Sequence, residues 1–462
     1  MTTAAPSAGR VGAEVGAARP QRLTLVLPST GAFDSRTWRI AGTMASRGHA
    51  VTVIARRGEG RASDETLPGG YRGVRVPVDP VDGLPGPLRT IGRRLRRRRA
   101  RQSAAGHVGP VTGTVAPEQG PVALRRRGVI PTLRWRIGGA WRIVAIALTV
   151  RSQTRATKRV APPADLVHAM AYMGIPVGLA LGRRDASRVV YDARDIYTDA
   201  RNIARLPGPA RRLFGRIERG WARRADRVIT VNDPYADVMA ERFGTERPLV
   251  VMNCALQARI PAGRPRRFHE ALGLAPDRRV VLYHGGLSPD RGIEQLIDAI
   301  PAVPNATLVL MGYGELEGLI RARAADPVAD GRIALMPAVP PADLLEWVGS
   351  ADVAAMPIQP STLNHRLTTP NKLFEAIMAG VPVVTSDLPG MAPIVRETGC
   401  GLAVDPTSPD ALAAAIVDLL DGPEASRAAV RDGLERAREV YTWEHQAQRL
   451  IAEYGRLTGR PW

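Results

Sequence analysis

Short, unbroken runs of apolar residues recur in two groups along the chain, and they limit its fold more than any other feature. The runs are rich in Val, Ile and Leu without polar alternation, which is typical of strands buried on both faces in a parallel sheet. The first group comprises Leu23–Pro28, Ala50–Ala55, Arg188–Ala193, Arg227–Asn232 and Leu249–Asn253. The second comprises Arg279–Gly286, Ala306–Gly314, Ile333–Val339, Asp352–Ile358, Val381–Asp387 and Gly401–Val404. Helically spaced stretches separate the runs, so the pattern predicts an α/β chain of two doubly wound, Rossmann-like domains.

The gap between the two groups predicts the domain boundary. The segment Ala258–Arg267, which is rich in Pro, Gly and Arg, separates the groups. We therefore expect a first domain over residues 21–258 and a second over residues 259–440. Residues 1–20 are rich in Ala and Gly and lack the apolar region of a secretory signal, so we expect a disordered leader there.

Almost all of the net positive charge lies in one stretch. The formal net charge is +20, and between Arg89 and Arg159 there are 18 Lys and Arg against one acid, Glu118. Because the excess is local, a general nucleic-acid-binding face is not expected, and no nucleic-acid-binding module is recognisable. We interpret residues 85–121 as a basic, mobile insertion in the first domain.

The residues after this insertion leave two interpretations open. Trp135, Trp141 and the cations near them suit an in-plane contact with an anionic membrane surface. Alternatively, the insertion is a solvated basic loop followed by an ordinary core helix. The uncharged apolar run Ile143–Val150 is too short to span a bilayer, which takes about 20 residues. Two distant cysteines favour a cytoplasmic protein, peripheral on the inner face of the cell membrane in the first interpretation.

Three loops in the second half carry residues suited to an anionic ligand. Each follows a strand-like run, and ligands of parallel α/β sheets bind at the carboxyl ends of strands. Paired glycines let the backbone approach an anion, while arginine and lysine neutralise one. The alternatives are a tight turn with a surface arginine and a capped helix with an exposed lysine. The candidates are Gly285, Gly286, Arg291, Gly312, Gly314, Asn371, Lys372 and Glu375.

The segments around these loops resemble a known family. In order and spacing, HGGLSPDRGIEQLIDAI, LVLMGYGELE, LLEWVGSADVAAMPI and PNKLFEAIMAGVPVVTSDLPG resemble the donor-binding domain of family 4 retaining glycosyltransferases. That family has the GT-B fold, in which two Rossmann-like domains face each other across a cleft. The segment YTWEHQAQRLIAEY (Tyr441–Tyr454) resembles the family's closing segment, so the resemblance implies that residues 441–462 form a helix packed back on the first domain.

The resemblance implies a role for each donor-side residue. Glu375 matches the second carboxylate of the E-x7-E motif, which holds the donor ribose, and Arg291 matches the basic residue that neutralises the diphosphate. Val339 lies where a backbone group meets the base. Arg291 and Lys372 would stabilise the leaving diphosphate, which is electrostatic catalysis that needs no metal or other cofactor. The remaining implied donor contacts are Gly285, Gly286, Gly312, Gly314 and Asn371.

Two positions depart from the family pattern. Leu367 stands where the first carboxylate of the E-x7-E motif is expected, so this chain is a variant that lacks a usual contact to the transferred sugar. Gly286 stands where an arginine commonly follows the first loop glycine. The donor site is therefore expected to be less basic than usual, and Lys372 is the residue that could compensate.

The first domain supplies the implied acceptor side. Gly31 lies in a loop that would face the cleft, and Arg36 or Arg39 could meet a phosphate or an anionic acceptor. Arg194 replaces the histidine of the family's YDxHE segment and could bind an anion, because an arginine cannot act as a base at neutral pH. The alternative for the helical arginines is a solvated helix face.

A histidine at a strand end is the remaining catalytic candidate. The segment DLVHAMAYMG (Asp165–Gly174) resembles the family's D-x-x-H-x-H strand end, with Met170 in place of the second histidine. His168 is retained and is a candidate catalytic residue. Its alternative is a structural histidine.

Together these features imply a hexosyl-type glycosyltransferase of cell-envelope or polysaccharide synthesis. It would move a sugar from a UDP- or GDP-linked donor to a glycan or lipid-linked acceptor, with retention of anomeric configuration. Two alternatives stay open, namely a nucleotide-sugar 2-epimerase and a non-catalytic nucleotide-sugar-binding scaffold. An epimerase would be expected to supply more cleft carboxylates and histidines, whereas the scaffold is motivated by Leu367, Gly286 and Met170.

Overall fold

The structure is a computed structural model that describes residues 19–31, 34–58, 62–85, 87–90, 129–258 and 263–462. Over residues 129–141 and 201–202 it describes the backbone alone. The expected leader and the expected basic insertion therefore lie almost wholly outside the described residues, as do the side chains of Trp135 and Trp141.

Within the described residues, eight strands form the first sheet, in the order β3-β4-β2-β1-β5-β6-β7-β8. Every neighbouring pair is parallel except β3 with β4, which is antiparallel. The central strand β5 is wholly buried, as is typical of a strand inside a parallel sheet. The strands are β1 Arg22–Val26, β2 Ala50–Arg56, β3 Asp64–Leu67, β4 Tyr71–Val76, β5 Leu166–Met170, β6 Arg188–Asp192, β7 Arg227–Thr230 and β8 Leu249–Val250.

Three strands of this sheet have no counterpart in the predicted runs. Strand β5 was expected only from the family resemblance of Asp165–Gly174, and β3 and β4 were not expected at all. Strand β3 lies at the sheet edge, where exposed and half-buried residues alternate, so its sequence DETL is largely polar. Strand β4 is interrupted by Arg72, Gly73 and Arg75, yet most of its residues are buried between β2 and β3. A search for unbroken apolar runs misses both kinds of strand.

Six parallel strands form the second sheet, in the order β11-β10-β9-β12-β13-β14. Strand β9 lies at the centre, between β10 and β12, so the strand order reverses at this position. Each strand corresponds to a predicted run, and the predicted fold class of two doubly wound α/β domains is confirmed. The strands are β9 Arg279–Gly286, β10 Ala306–Tyr313, β11 Ile333–Met336, β12 Val353–Met356, β13 Val383–Ser386 and β14 Gly401–Val404.

Helices cover both sheets and connect their strands. Those of the first domain are α1 Ser35–Ser46, α2 Pro80–Gly83, α3 Val129–Val160, α4 Ala171–Asp185, α5 Arg201–Ala204, α6 Gly208–Ala222 and α7 Asp233–Phe243. Those that follow are α8 Arg267–Leu272, α9 Ile293–Ala299, α10 Glu317–Ala324, α11 Leu344–Gly349, α12 Leu363–Arg366, α13 Asn371–Met378, α14 Ala392–Thr398, α15 Pro409–Asp421, α16 Glu424–Val440 and α17 Trp443–Thr458. Short 3-10 turns lie at Tyr197–Asp199, Ile300–Ala302 and Pro327–Ala329.

The last helix, α17, returns to the first domain. Its residues Trp443, Leu450 and Tyr454 are buried in one cluster with residues of β1, β2 and β5. The indole of Trp443 donates to the Thr43 hydroxyl at 2.8 Å, which fixes the start of the helix against α1. The chain thus crosses between the domains twice, and the second crossing ends in the core beneath the first sheet.

Helix α3 packs on the first domain over its described side chains. Ile143 and Ile146 contact the core on one side of the first sheet, and Gln153 and Thr157 are buried. This part of α3 therefore behaves as the core helix of the second interpretation. Within the described part of the chain, no helix is both long enough and apolar enough to cross a membrane.

One buried acid makes the stability of the first domain depend on pH. Glu218 on α6 accepts a hydrogen bond from the Tyr191 hydroxyl at 2.8 Å, and burial raises its pKa to about 7. The pKa of Glu218 is higher in the folded protein than in the unfolded chain. The stability that Glu218 contributes is therefore fully present below the pKa of the unfolded chain and is lost as the pH rises through about 7.

We therefore predict that Glu218→Gln stabilises the protein at alkaline pH. Because glutamine needs no proton to remain neutral, the free energy of unfolding should rise by about 3 kcal/mol near pH 8 and by less than about 1 kcal/mol near pH 5. Urea denaturation of both proteins at the two pH values measures the difference. An equal effect at both pH values would contradict the assigned titration.

Candidate donor site

The loops after β9 and β10 pack backbone against backbone at the carboxyl edge of the second sheet. A Cβ atom added to Gly312 would lie 1.9 Å from the carbonyl oxygen of Gly285, and one added to Gly314 would lie 2.2 Å from that of Leu287. Both positions therefore require glycine. Gly285 and Gly286 are exposed above this contact, and a Cβ on Gly286 would meet nothing within 4 Å. Where an arginine is common in the family that the sequence resembles, Gly286 therefore leaves open space.

Lys372 lies beside this pair of loops. Its Nζ is 3.4 Å from the centre of the Tyr283 ring, a cation–π contact, and 3.7 Å from where a Cβ on Gly285 would be. Burial, and then repulsion from Arg291, hold the pKa of Lys372 well below its ordinary value. Among the described residues, neither Lys372 nor Arg291 has a salt-bridge partner. Two neighbouring cations that form no salt bridge, with only the charge of Glu375 nearby to offset that of Lys372, make a site suited to an anion.

The start of helix α13 adds to this anion site. Its cap residue, Pro370, makes no side-chain hydrogen bond to the first turn, and Asn371 at the first helical position is exposed. The N-terminus of a helix carries a partial positive charge and unpaired N–H groups. Asn371 and Lys372 therefore lie together where a phosphate would be stabilised.

Glu375 lies one turn further along α13. Its Oε2 is 2.9 Å from Nε2 of His284, and its Oε1 is 3.9 Å from Nη2 of Arg39 in the first domain. Burial opposes its ionisation, but the hydrogen bond and charge of His284, with the charges of Arg39 and Lys372, hold the pKa of Glu375 below its ordinary value. The carboxylate is thus an ionised acceptor that faces the cleft between the domains.

His284 and Arg39 complete the surroundings of this carboxylate. His284 was not among the residues predicted from the sequence, although it is the last buried residue of β9 before the Gly285 loop. Arg39 was expected to meet a phosphate or an acceptor. Its Nη1 instead donates to Asn253 Oδ1 at 2.8 Å, which aims its other nitrogen at Glu375.

Leu367 has a structural role at the position of the missing carboxylate. Leu363 and Leu367 pack against a first-domain cluster that includes Tyr191, Phe214 and Tyr235. A carboxylate at position 367 would be brought against apolar side chains there. The loss of the usual glutamate therefore accompanies an apolar contact between the domains.

Polar contacts reinforce this junction. Asn364 Oδ1 accepts from the Ile196 amide at 2.7 Å, and its carbonyl accepts from the Tyr235 hydroxyl at 2.8 Å. Asn232 donates to the carbonyl of Leu367 at 2.7 Å. The helix α12 loop thus holds the carboxyl edge of the first sheet against the second domain.

The structure corrects two predicted site residues of the first domain. Arg36 has no exposed surface, and its guanidinium bonds Asp192 at 2.6 Å and the Val251 carbonyl at 2.7 Å. It therefore cannot meet an acceptor. His168 is equally buried, between Asp192 at 3.1 Å and the Tyr454 hydroxyl at 2.6 Å, so it cannot contact a substrate as a catalytic residue.

The electrostatics of this buried group agree with a structural role. Burial lowers the pKa of His168, which favours the neutral ring. Burial opposes ionisation of Asp192, but Arg36 and His168 hold its pKa well below the ordinary value. Tyr454, on the returning helix α17, closes the group from the other side.

The other acceptor-side candidates lie at the cleft. Arg194 forms two hydrogen bonds of 2.9 Å to Asp34, and a quarter of its side chain (25%) is exposed. Gly31, with φ of +73°, turns the chain after β1, and its carbonyl accepts from the Asp34 amide at 3.4 Å. On the donor side, Val339 is half-buried against the core of the second domain, beyond the end of β11.

Comparisons with known proteins agree with this arrangement. Residues 31–255 match the model described as "Glycosyl transferase 4-like domain", and residues 278–422 match the model "Glycosyl transferases group 1". Each of the two domains therefore matches a glycosyltransferase domain model.

Particular relatives are distant. The D-inositol 3-phosphate glycosyltransferase of Segniliparus rotundus is 27% identical over 304 residues, which are 63% of this chain and 66% of that relative. Two solved structures share the fold, with TM-scores of 0.66 and 0.61. The first is sucrose-phosphate synthase from Thermosynechococcus elongatus, which is 18% identical and aligns over 95% of this chain and 99% of its own. The second is Anabaena Alr3699/HepE in complex with UDP, which is 16% identical and aligns over 95% of this chain and 100% of its own. The chain is thus similar to glycosyltransferases across both of its domains.

Proposed function

We propose that the protein is a glycosyltransferase that transfers a hexosyl-type unit from a nucleotide diphosphosugar, with retention of anomeric configuration. The observation that carries the proposal is the pair of cations Arg291 and Lys372, without acidic partners among the described residues, beside the ionised Glu375. A diphosphate satisfies the cations and the start of α13, while ribose hydroxyls can donate to Glu375. The complex of Anabaena HepE with UDP supports this choice of ligand.

The proposed mechanism is electrostatic. Arg291, Lys372 and the first amides of α13 neutralise the charge that develops on the leaving diphosphate. The acceptor hydroxyl attacks on the face that the leaving group vacates as the bond from the anomeric carbon to the diphosphate oxygen breaks, which retains the configuration, and the hydroxyl proton passes to the leaving diphosphate. No protein group needs to act as a base, and neither a metal nor a cofactor beyond the donor is proposed. The donor is proposed to be linked to UDP or GDP.

The finer assignments are proposals as well. The chain fits a family 4 variant that lacks the first glutamate of the E-x7-E motif, because Leu367 serves the domain junction. The acceptor is proposed to be a glycan or a lipid-linked molecule of cell-envelope or polysaccharide synthesis. The concentrated positive charge between Arg89 and Arg159 supports a cytoplasmic enzyme that binds an anionic membrane surface peripherally.

The test is thermal-shift screening against UDP-, GDP- and ADP-sugars, followed by a donor-hydrolysis assay and NMR analysis of the product anomer. Stabilisation by one nucleotide sugar together with hydrolysis is expected. Binding without turnover, with every acceptor offered, would favour a non-catalytic scaffold. A lack of stabilisation by all of these donors would overturn the proposal.

Glu375→Ala should weaken donor binding by about ten- to a hundredfold, because hydrogen bonds to a charged group contribute about 1.5–3 kcal/mol. Isothermal titration with the stabilising nucleotide sugar measures the change. Glu435→Ala, which removes a carboxylate exposed on α16, is the control and should bind as the parent does. Equal affinities for the parent and Glu375→Ala would refute the ribose contact.

A further inference from the structure

Arg56 ends strand β2 at the carboxyl edge of the first sheet. This edge faces the second domain, because the loops after β6 and β7 bond to Asn364 and Leu367 there. Arg56 is therefore on the acceptor side of the cleft, on the domain opposite Arg291 and Lys372. The mechanism proposed above does not use it.

Arg56 is half-buried and has no carboxylate partner among the described residues. Its Nε is 3.4 Å from Gln153 Oε1, and its Nη2 is 3.8 Å from the Met173 sulfur, both of which are neutral. The other sheltered arginines at this edge have acidic partners, Arg36 with Asp192 and Arg194 with Asp34. Burial lowers the pKa of Arg56, which records the cost of a cation removed from water without a counter-ion.

The position of Arg56 is fixed from two sides. Gln153 has no exposed surface, and its amide donates to the Leu27 carbonyl at 2.6 Å while its oxygen faces Arg56. The amide of Arg56 donates to the Ser29 carbonyl at 2.9 Å. Because Arg56 is already oriented in this way, it loses little conformational entropy when it binds a ligand.

Tyr172 provides a second donor near Arg56. It lies in the first turn of α4, and its ring packs edge-on against Tyr197 and Phe214. The next residue of this turn, Met173, has its sulfur 3.8 Å from Nη2 of Arg56, so the first turn of α4 lies beside that guanidinium. In the described structure the hydroxyl of Tyr172 makes no hydrogen bond, so it is available to a ligand.

We propose that Arg56 and Tyr172 form a subsite for an anionic group, a phosphate or a carboxylate, on the acceptor. The assignment to the acceptor rests on the proposed transferase function. A guanidinium fork with a neighbouring hydroxyl is suited to oxygen anions, and the subsite lies on the domain opposite the cations proposed for the donor diphosphate. The enzyme would then select an acceptor that carries its own negative charge.

Direct binding tests the subsite without requiring turnover. Glycerol 3-phosphate, D-glycerate and neutral glycerol are titrated into the protein and followed by NMR. Arg56→Gln should weaken binding of the preferred anion by about tenfold or more, and Tyr172→Phe by a smaller factor. Arg57→Gln removes the same charge from the exposed neighbouring residue and should leave the affinity unchanged.

The outcomes separate the possible sources of the anion. Loss of glycerol 3-phosphate or glycerate binding in Arg56→Gln alone indicates a soluble anionic acceptor. If only phosphatidic acid in phosphatidylcholine vesicles binds in an Arg56-dependent manner, the phosphate belongs to a lipid. Equal losses in Arg56→Gln and Arg57→Gln, or no anion binding by the parent, would overturn the subsite.

Two further measurements keep the result independent of folding and of the donor site. Arg56→Lys retains the charge, so it should retain part of the affinity even if Arg56→Gln folds poorly. Titration with nucleotide sugars tests the donor site separately. Anion binding that depends on Arg56 in a protein that binds no nucleotide sugar would sink the proposed function and leave an anion site.

Discussion

Lys372→Ala is expected to lower kcat for sugar transfer by about two to three orders of magnitude, which is the range for removing one charge-stabilising donor from an active site. The lysine lies between the start of α13, the Gly285 loop and Arg291, where a leaving diphosphate would gather charge. Donor hydrolysis and transfer assays measure the loss. Circular dichroism should show that the variant is folded, because a buried cation without an acidic partner contributes little to stability.

The chain provides a matched control for this prediction. Lys158 is its only other lysine, exposed on α3. Lys158→Ala should leave kcat unchanged. A comparable loss in both variants, or full activity in Lys372→Ala, would contradict the assigned role.

The depressed pKa of Lys372 also predicts that donor binding takes up protons. A bound diphosphate favours the charged ammonium, so it raises the pKa of Lys372 from the low value of the free protein. Affinity should therefore be greatest below the pKa of the free protein and decline as the pH rises toward the pKa of the complex. Calorimetric titration in buffers of different ionisation enthalpy measures this uptake, which should disappear in Lys372→Ala.

The second sheet follows from its sequence because its strands are buried on both faces. Where a strand lies at a sheet edge, as Asp64–Leu67 does, half of its residues meet solvent and the apolar signal disappears. Strand Tyr71–Val76 is hidden for another reason, since Arg75 bonds the Ala62 carbonyl and contacts Glu65 within an otherwise buried strand. A search for apolar runs misses a buried strand when its polar side chains form hydrogen bonds or ion pairs with neighbouring segments.

The donor loops can also be predicted from local sequence, because the need for glycine and the start of a helix are set by residues that are close in the chain. The glycines at 312 and 314 are required by contacts with backbone only about 27 residues away, on the neighbouring strand. Lysine itself was a further signal. Only two of the 64 Lys and Arg residues are lysine, so a lysine at a predicted helix start stands out from the many arginines.

The first-domain residues could not be assigned from their motifs. A position at a strand end predicts the edge of the sheet but not whether the side chain points to the cleft or into the core. His168 is covered by Tyr454, 286 residues away in sequence, and Arg36 by Val251, 215 residues away. The return of the final helix therefore covers His168, and the residue after β8 covers Arg36.

Arg36→Met should lower the free energy of unfolding by about 3–5 kcal/mol, because it leaves the buried carboxylate of Asp192 without its cationic partner. Urea denaturation measures the loss. Arg72→Met breaks a pair in which about half of each side chain is exposed (49% and 48%), and it should cost far less stability than Arg36→Met. Adding Asp192→Asn to Arg36→Met removes the stranded charge but keeps an acceptor for His168, so part of the stability should return. Similar losses for Arg36→Met and Arg72→Met would show that the buried pair is not what holds the returning helix and the first sheet together.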